Sequence, residues 1–246
     1  MIVGAATIQE ATLEPSRVAL ILVAAGPGTR LGAGRPKALV QVAGGSLLAH
    51  ALDSITRATT TSGQVFDPLV IVAPGSHMDE VRADVEARWP GAAVVAGGAR
   101  RQESVRAGLE ACADSEIVVV HDAARPFVTA DAIARVIAAA AVDGAAITAL
   151  AAVDTVKIAD EADRVQSTPP RERVWLAQTP QAFRRDILLD AHTHAIGGDS
   201  TDDASLVEAR GQTVRVVVGD PATRKVTTPD DLRWAEWMIQ SGQWPR

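Results

Sequence analysis

The hydrophobic positions of this chain fall into short unbroken runs separated by amphipathic stretches. Val18-Ala-Leu-Ile-Leu-Val23 is apolar at consecutive rather than alternate positions. That pattern predicts a strand buried on both faces, as in a parallel sheet covered by helices. A Gly-rich loop follows, from Ala24 to Lys37, and Ser46 then caps a helix that begins Leu47-Leu-Ala-His-Ala-Leu. The alternation continues with a strand over Leu69–Ala73, an amphipathic helix over Ser76–Trp89, a strand over Ala93–Ala96 and a helix over Arg101–Cys112. A second fully apolar strand, Ile117–Val120, runs into His121-Asp122. Beyond it the pattern predicts an Ala-rich helix over Thr129–Val142, with Thr129 as its cap, and a strand over Ala145–Ala151.

The rhythm breaks after Val153. Residues 154–178 carry charges, Pro169-Pro170 and only two short β-like pieces, Thr155–Ile158 and Val174–Ala177, which predicts a β-hairpin arm projecting from the core. The α/β pattern resumes with helices over Arg184–Ala195 and Asp203–Arg210 and a strand over Val214–Val218. A last helix runs from Thr228-Pro229 to Ile239, with Thr228 as cap and Pro229 in the first turn. The expected fold is therefore an α/β three-layer sandwich: a Rossmann-like, mostly parallel sheet with helices on both faces and a projecting β-arm. Residues 17–246 form one domain in this reading. Residues 1–16, with Glu10 and Glu14 in a short apolar stretch, read as a flexible lead-in rather than a signal or transit peptide.

Composition narrows the function. Of 246 residues, 47% are hydrophobic and 22% charged, enough apolar material for a sizeable core. A net charge of −6 leaves no basic surplus for neutralising a phosphate backbone, and with 3% aromatics and no Tyr there is no stacking platform for bases, so nucleic acid is not an expected partner. No apolar run approaches the roughly 20 residues a membrane helix needs. The single cysteine, Cys112, excludes a disulfide framework and a multi-thiolate metal site, and suits the reducing cytoplasm.

In an open parallel sheet, ligands bind beyond the carboxyl ends of the strands. Two segments fall there. In the loop Ala24-Ala-Gly-Pro-Gly-Thr-Arg-Leu-Gly-Ala-Gly-Arg-Pro-Lys37, the glycines let the backbone come close to a bulky anion, and Arg30 and Lys37 add fixed positive charge. This suits a triphosphate. It is neither a P-loop nor a dinucleotide fingerprint, since Leu31 stands where the third Gly would be. In the second segment, His121-Asp-Ala-Ala-Arg-Pro126, Asp122 can bind a metal or accept from a sugar hydroxyl, and Arg125 can grip a phosphate; the alternative is a surface Asp–Arg pair. Gly97-Gly98-Ala-Arg-Arg-Gln-Glu-Ser104 opens a helix and is a further anion or base-edge candidate. Thr201-Asp202-Asp203-Ala204 reads as a helix cap. His192 and His194, two apart on a helix, point to different faces and read as surface residues, and Cys112 as a buried, inert thiol.

Together these segments resemble the 2-C-methyl-D-erythritol 4-phosphate cytidylyltransferase family of nucleotidyltransferases. The resemblance rests on Ala24-Ala-Gly-x-Gly-x-Arg30 with Pro36-Lys37, on His121-Asp-Ala-Ala-Arg-Pro126 and on Thr201-Asp-Asp-Ala-Ser-Leu206. It extends in order through Gly97-Gly98, Asp154-Thr155, Gln178-Thr-Pro-Gln181 and Lys225-Val-Thr-Thr-Pro-Asp230. It implies transfer of a cytidylyl group from CTP to the phosphate of a polyol phosphate, with Mg²⁺ as cofactor and release of pyrophosphate. By resemblance, Arg30 and Lys37 stabilise the transition state. Ala24, Ala25, Gly26 and Gly28 hold CTP, while Gly98 and Ser104 recognise its base and ribose. Asp122, Arg125 and Thr201 hold the acceptor, and Arg171 and Lys225 position its phosphate; Asp122 is also the candidate metal ligand. The arm would interlock with that of a second subunit in a homodimer, so that Arg171 serves the partner's site. One departure is Ala99, where some members carry Asp. Competing readings are a cytidylyltransferase for another polyol phosphate such as ribitol 5-phosphate, a sugar-1-phosphate nucleotidyltransferase with another base, and a nucleotide-binding module without turnover.

Overall fold

The computed structural model describes residues 17–195 and 200–244; the lead-in expected over residues 1–16 lies outside them. In chain order the elements are β1 (Val18–Val23), β2 (Gln41–Val42), β3 (Gly45–Ser46), α1 (Leu47–Ser62), β4 (Leu69–Ala73), α2 (Met78–Arg88), β5 (Ala93–Ala96), α3 (Arg101–Glu110) and β6 (Ile117–Asp122). They continue with α4 (Ala130–Asp143), β7 (Ala145–Ala151), β8 (Ile158–Ala159), β9 (Val165–Ser167), β10 (Trp175–Arg184), α5 (Arg185–Thr193), α6 (Asp203–Ala209), β11 (Arg215–Val218) and α7 (Pro229–Gln240). Among the described residues the core is a seven-stranded sheet in the order β11-β7-β10-β6-β1-β4-β5.

The unbroken apolar runs have the meaning expected of them. Along β1, Val18, Leu20 and Leu22 face one layer, where Leu48, Leu52 and Ile55 of α1, Val81 and Val85 of α2 and Val136 of α4 pack. Ala19 and Ile21 face the other, against Val105 and Leu109 of α3, Leu188 of α5 and Val207 of α6. Both faces of each central strand are thus removed from water, and the three-layer α/β architecture follows. A third cluster joins Phe127 and Trp244 to Ala235 and Met238 of α7. Ser46 and Thr129 cap α1 and α4 as expected, accepting from the amides of Ala49 and Ala132. Cys112 is buried, and burial pushes its thiol up to about 12. No helix of the described residues is long and apolar enough to cross a membrane.

The structure differs from the sequence reading in several elements. The small β2–β3 hairpin was not expected, and of the β piece expected over Thr155–Ile158 only Ile158 is in a strand, β8, which pairs with β9. Val174–Ala177, expected in the arm, belongs to β10. This ten-residue strand inserts antiparallel between β6 and β7, whereas β1 pairs parallel with β4 and β6, β4 with β5, and β7 with β11. Pro180 hid it, because a proline cannot donate to a ladder and normally argues against a central strand. The ladder to β7 is in fact interrupted between Ala177 and Gln181, where Pro180 sits. The β8–β9 hairpin is the remainder of the arm, and its residues are exposed.

From β1 the chain moves outward to β4 and β5, then returns to form β6 on the other side of β1. The carboxyl ends of β1 and β6, with Val23 opposite Asp122, therefore lie at a topological switch point, where loops diverge and leave a crevice.

Candidate active site

A cleft opens at that point. It is lined by Ala24 to Arg30 from the loop after β1, Lys37 and Ala38, Gly98 to Arg101 and Ser104 around the start of α3, Asp122 and Ala124 after β6, and Lys225. Ten of the residues singled out in the sequence converge here: Ala24, Ala25, Gly26, Gly28, Arg30, Lys37, Gly98, Ser104, Asp122 and Lys225.

The glycine loop curls back on itself. Gly28 adopts φ 69°, in the left-handed region, and starts the short turn Thr29–Leu31; the Lys37 amide donates to the Gly26 carbonyl at 3.3 Å. A side chain at Gly28 would place a Cβ 2.7 Å from the Lys37 Cβ and 2.9 Å from its amide nitrogen, so only glycine allows this closure. Lys37 is half-buried beside Arg30 and Lys225. Burial first, then repulsion from Lys225 and Arg30, lowers its ammonium below the usual lysine value. At the opposite wall, the Glu103 carboxylate accepts from the amides of Ala99 (3.0 Å) and Arg100 (3.3 Å), which fixes the turn that presents Gly98. The Ala99 amide is thus engaged within its own loop.

Asp122 forms the floor. Burial alone would raise its carboxyl, but Arg101, Lys225 and Arg125 outweigh that and hold it well below the usual carboxylate range. Its Oδ1 accepts from Arg101 Nε and Nη2, each at 3.3 Å, and its Oδ2 from Lys225 Nζ at 2.6 Å. The Asp122 amide donates to Thr179 Oγ1 at 3.0 Å. That leaves the Thr179 hydroxyl hydrogen for His121 Nδ1, 3.0 Å away, while His121 Nε2 donates to the Arg125 carbonyl at 3.0 Å. The ring is neutral, since burial lowers its pKa from 6.5 to about 4. Strand β10 thereby buttresses the floor through Thr179. The donor set bears on a metal. Among the described residues no three His, Cys, Asp or Glu side chains gather to hold an ion, and both oxygens of Asp122 already have cationic partners.

Three expected site residues do not line this cleft. Arg125 reaches away and donates from Nη1 to the Thr223 carbonyl at 2.8 Å and from Nη2 to the Ala177 carbonyl at 3.4 Å. With Val226 donating to the Ala124 carbonyl at 2.8 Å, this fastens the segment that carries Lys225 to the end of β6. Thr201 is exposed just before α6. Arg171 is exposed beyond the β8–β9 hairpin, where its Nη1 donates to the Val153 carbonyl at 3.1 Å. His192 corrects a further expectation: it is buried rather than at the surface, with its Nε2 donating to Asp203 Oδ1 at 3.0 Å.

Arg101 was missed by the sequence reading, although it lines the cleft and is only 21% exposed. Burial lowers its pKa, but Asp203 and Asp122 together raise it well above the usual arginine value. A signal was present: Arg100-Arg101 places two cations at a helix N-terminus, where the macrodipole favours anions. Asp202 performs the expected capping of α6, accepting from the Ser205 amide at 3.1 Å, which leaves Asp203 free for Arg101.

The chain is similar to known proteins in sequence and in fold. The family model described as 2-C-methyl-D-erythritol 4-phosphate cytidylyltransferase matches residues 18–241. A protein of that name from Syntrophus aciditrophicus is 42% identical over 230 residues, covering 91% of this chain and 96% of that protein. A bifunctional IspD/IspF enzyme from Rhodopseudomonas palustris strain HaA2 is 46% identical over 226 residues, covering 89% of this chain and 54% of that enzyme. The chain thus spans about half the length of the bifunctional relatives it matches. Among solved structures, 4-diphosphocytidyl-2C-methyl-D-erythritol synthase from Anaerococcus prevotii superposes with a TM-score of 0.78 at 30% identity, covering 91% of this chain and 98% of that one. The cytidylyltransferase from Thermus thermophilus gives 0.72 at 35% identity, covering 91% and 99%. The cleft at the switch point, its glycine loop and the family match over β1 to α7 lead to one conclusion: the chain belongs to the 2-C-methyl-D-erythritol 4-phosphate cytidylyltransferase family.

Proposed function

We propose that the chain transfers a cytidylyl group from CTP to 2-C-methyl-D-erythritol 4-phosphate, giving 4-diphosphocytidyl-2-C-methyl-D-erythritol and pyrophosphate, in the synthesis of isoprenoid precursors. The observation that carries this reading is the set of cations around the glycine loop, Arg30, Lys37 and Lys225, at the switch point of the sheet. An oxygen of the acceptor phosphate attacks the α-phosphorus of CTP in line. The bond from that phosphorus to the α–β bridging oxygen breaks, and pyrophosphate leaves with the electron pair. Two anions must meet, so the protein positions the groups and neutralises their charge; no side-chain nucleophile is needed. Arg30 and Lys37 receive the triphosphate, with Ala24, Ala25, Gly26 and Gly28 as its main-chain cradle. Gly98 and Ser104 face the base and ribose. Lys225, anchored on Asp122, receives the acceptor phosphate, and Asp122 keeps one lone pair, on Oδ2, for an acceptor hydroxyl.

Mg²⁺ belongs to this reading as part of the nucleotide substrate, carried on its phosphates. A lone carboxylate already shared by two cations does not make a protein-built Mg²⁺ site. The homodimer is proposed on the exposed apolar residues Val153, Ile158, Val165, Trp175 and Leu176 around the arm, which a second copy would cover, and on Arg171, which stands outside its own cleft. Thr201 and Arg125 are assigned to the acceptor by resemblance, with Arg125 acting through the segment that carries Lys225. A cytoplasmic location is part of the same reading. The test is pyrophosphate release from CTP with 2-C-methyl-D-erythritol 4-phosphate or ribitol 5-phosphate as acceptor. Release with the first at a kcat/KM well above that with the second is expected; release with neither overturns the reading.

A further inference from the structure

Beneath the cleft floor, charges alternate in a continuous line. Lys225 Nζ meets Asp122 Oδ2 at 2.6 Å, and Asp122 Oδ1 meets Arg101 Nη2 at 3.3 Å. Arg101 Nη1 lies 2.8 Å from Asp203 Oδ2, and Asp203 Oδ1 accepts from His192 Nε2 at 3.0 Å. The outer half of this line lies outside the cleft: Asp203 is fully buried, and His192 nearly so, where α5 and α6 pack on the sheet.

A buried carboxylate and guanidinium contribute little to stability relative to apolar residues of similar volume, because desolvation offsets their attraction. Nor does α6 need Asp203 for its start, since Asp202 supplies the cap. What the pair does supply is direction. A guanidinium has a rigid planar fork. With Nη1 drawn to Asp203 Oδ2 by charge, as an ion pair at 2.8 Å without hydrogen-bond alignment, the opposite edge, Nε and Nη2, faces a single oxygen of Asp122. The other oxygen is then left to Lys225. Without Asp203, Arg101 could swing toward the cleft and compete with Lys225 for both oxygens or for a bound phosphate.

We propose that Asp203, oriented by His192, is a positioning residue for the reaction: it holds Arg101 on Asp122 Oδ1 and so sets where the Lys225 ammonium meets the acceptor phosphate. The inference rests on the cytidylyl transfer proposed above and assigns that site a buried support reaching α5 and α6.

The test compares kcat and the two KM values of wild type, Asp203→Asn, Arg101→Lys, His192→Gln, His192→Leu and the double variant Arg101→Lys/His192→Leu, with melting temperature as the control for folding. Asp203→Asn and His192→Leu are expected to lose about tenfold to a hundredfold in kcat or in the acceptor KM, as small misplacements do, with the CTP KM held within about threefold. His192→Gln, which keeps a donor for Asp203, is expected to retain most of the wild-type rate. The double variant should lose less than the product of its single losses, because both act through one contact. Asp203→Asn and His192→Leu variants that fold and keep wild-type kcat and KM overturn the proposal. So does a His192→Gln variant as impaired as His192→Leu. Should Asp203→Asn not fold, the two His192 variants decide the matter. Crystal structures of wild type and His192→Leu give a readout independent of turnover: Arg101 is expected to leave Asp122 Oδ1 in the variant, and an unmoved guanidinium refutes the inference even where wild type transfers no cytidylyl group.

Discussion

Lys37→Ala separates chemistry from folding more cleanly than any other change in this cleft. The ammonium stands half-buried near Arg30 and Lys225, so in the free protein burial and repulsion from these two outweigh the attraction of Asp122 and Asp231. Alanine keeps the Cβ that packs over Gly28 and removes only the stem and charge. Folding stability should therefore hold or rise slightly, within about 0.5 kcal/mol of wild type, the usual range for a substitution away from core and caps. The rate should not hold. A cation about 4 Å from a phosphate oxygen in such a partly buried site interacts by up to about 4 kcal/mol. Loss of one such donor typically lowers kcat by about 10²–10³. A pyrophosphate-release assay gives kcat, and calorimetry of the same preparation gives the melting temperature. The pH profile supplies an independent check. The active form carries the protonated ammonium, so activity is lost as pH rises through the folded pKa. Burial and the neighbouring cations lower that pKa in the free protein, which places the alkaline limb of kcat/KM below 10.5; Lys37→Arg should move the limb upward. A folded Lys37→Ala enzyme with kcat within threefold of wild type would falsify the role of this cation, and with it the account of the cleft.

Three further outcomes follow from the same geometry. Asp122→Asn leaves Arg101 and Lys225 facing each other without their anion and should cost on the order of 3–5 kcal/mol in chemical denaturation at neutral pH. Because the folded carboxyl titrates below its unfolded value, the wild-type advantage is complete above about pH 4 and shrinks as pH falls further; a gap constant down to pH 2 contradicts this. His121 is neutral in the fold with its pKa lowered from 6.5 to about 4, so the unfolded chain binds the extra proton between those values. Stability should fall by about 3 kcal/mol as pH drops across that window, and His121→Gln should flatten the decline. Gly97→Ala would drive a methyl into Ala25 Cβ and to within 2.8 Å of Ser104 Oγ, wedging apart the two walls of the proposed nucleotide site. A loss of about 1–3 kcal/mol in stability and a raised CTP KM are expected, and an unchanged CTP KM counts against that wall.

Much of this protein is written locally along the chain. Runs such as Val18–Val23 and Leu69–Ala73 are apolar at every position because both faces of their strands are covered, so they are legible without knowing what covers them. Ser46, Thr129 and Thr228 mark helix starts through bonds to amides three residues on. Gly28, Arg30 and Lys37 share one loop, and Asp122 ends a buried run, so the main pieces of the cleft could be read from the sequence. The remainder depended on contacts between distant segments. Strand β10 is held by β6 and β7, and its Thr179-Pro180 looks locally like a turn. Arg125 could equally have lined the cleft; its bonds to the carbonyls of Thr223 and Ala177 turn it outside instead. Arg101, Asp203 and His192 each read as ordinary helix residues until the sheet order sets α3 beside α5 and α6. Short-range patterning determines which face of a segment is dry, whereas the partner of a buried charge is chosen by packing between elements far apart in the chain.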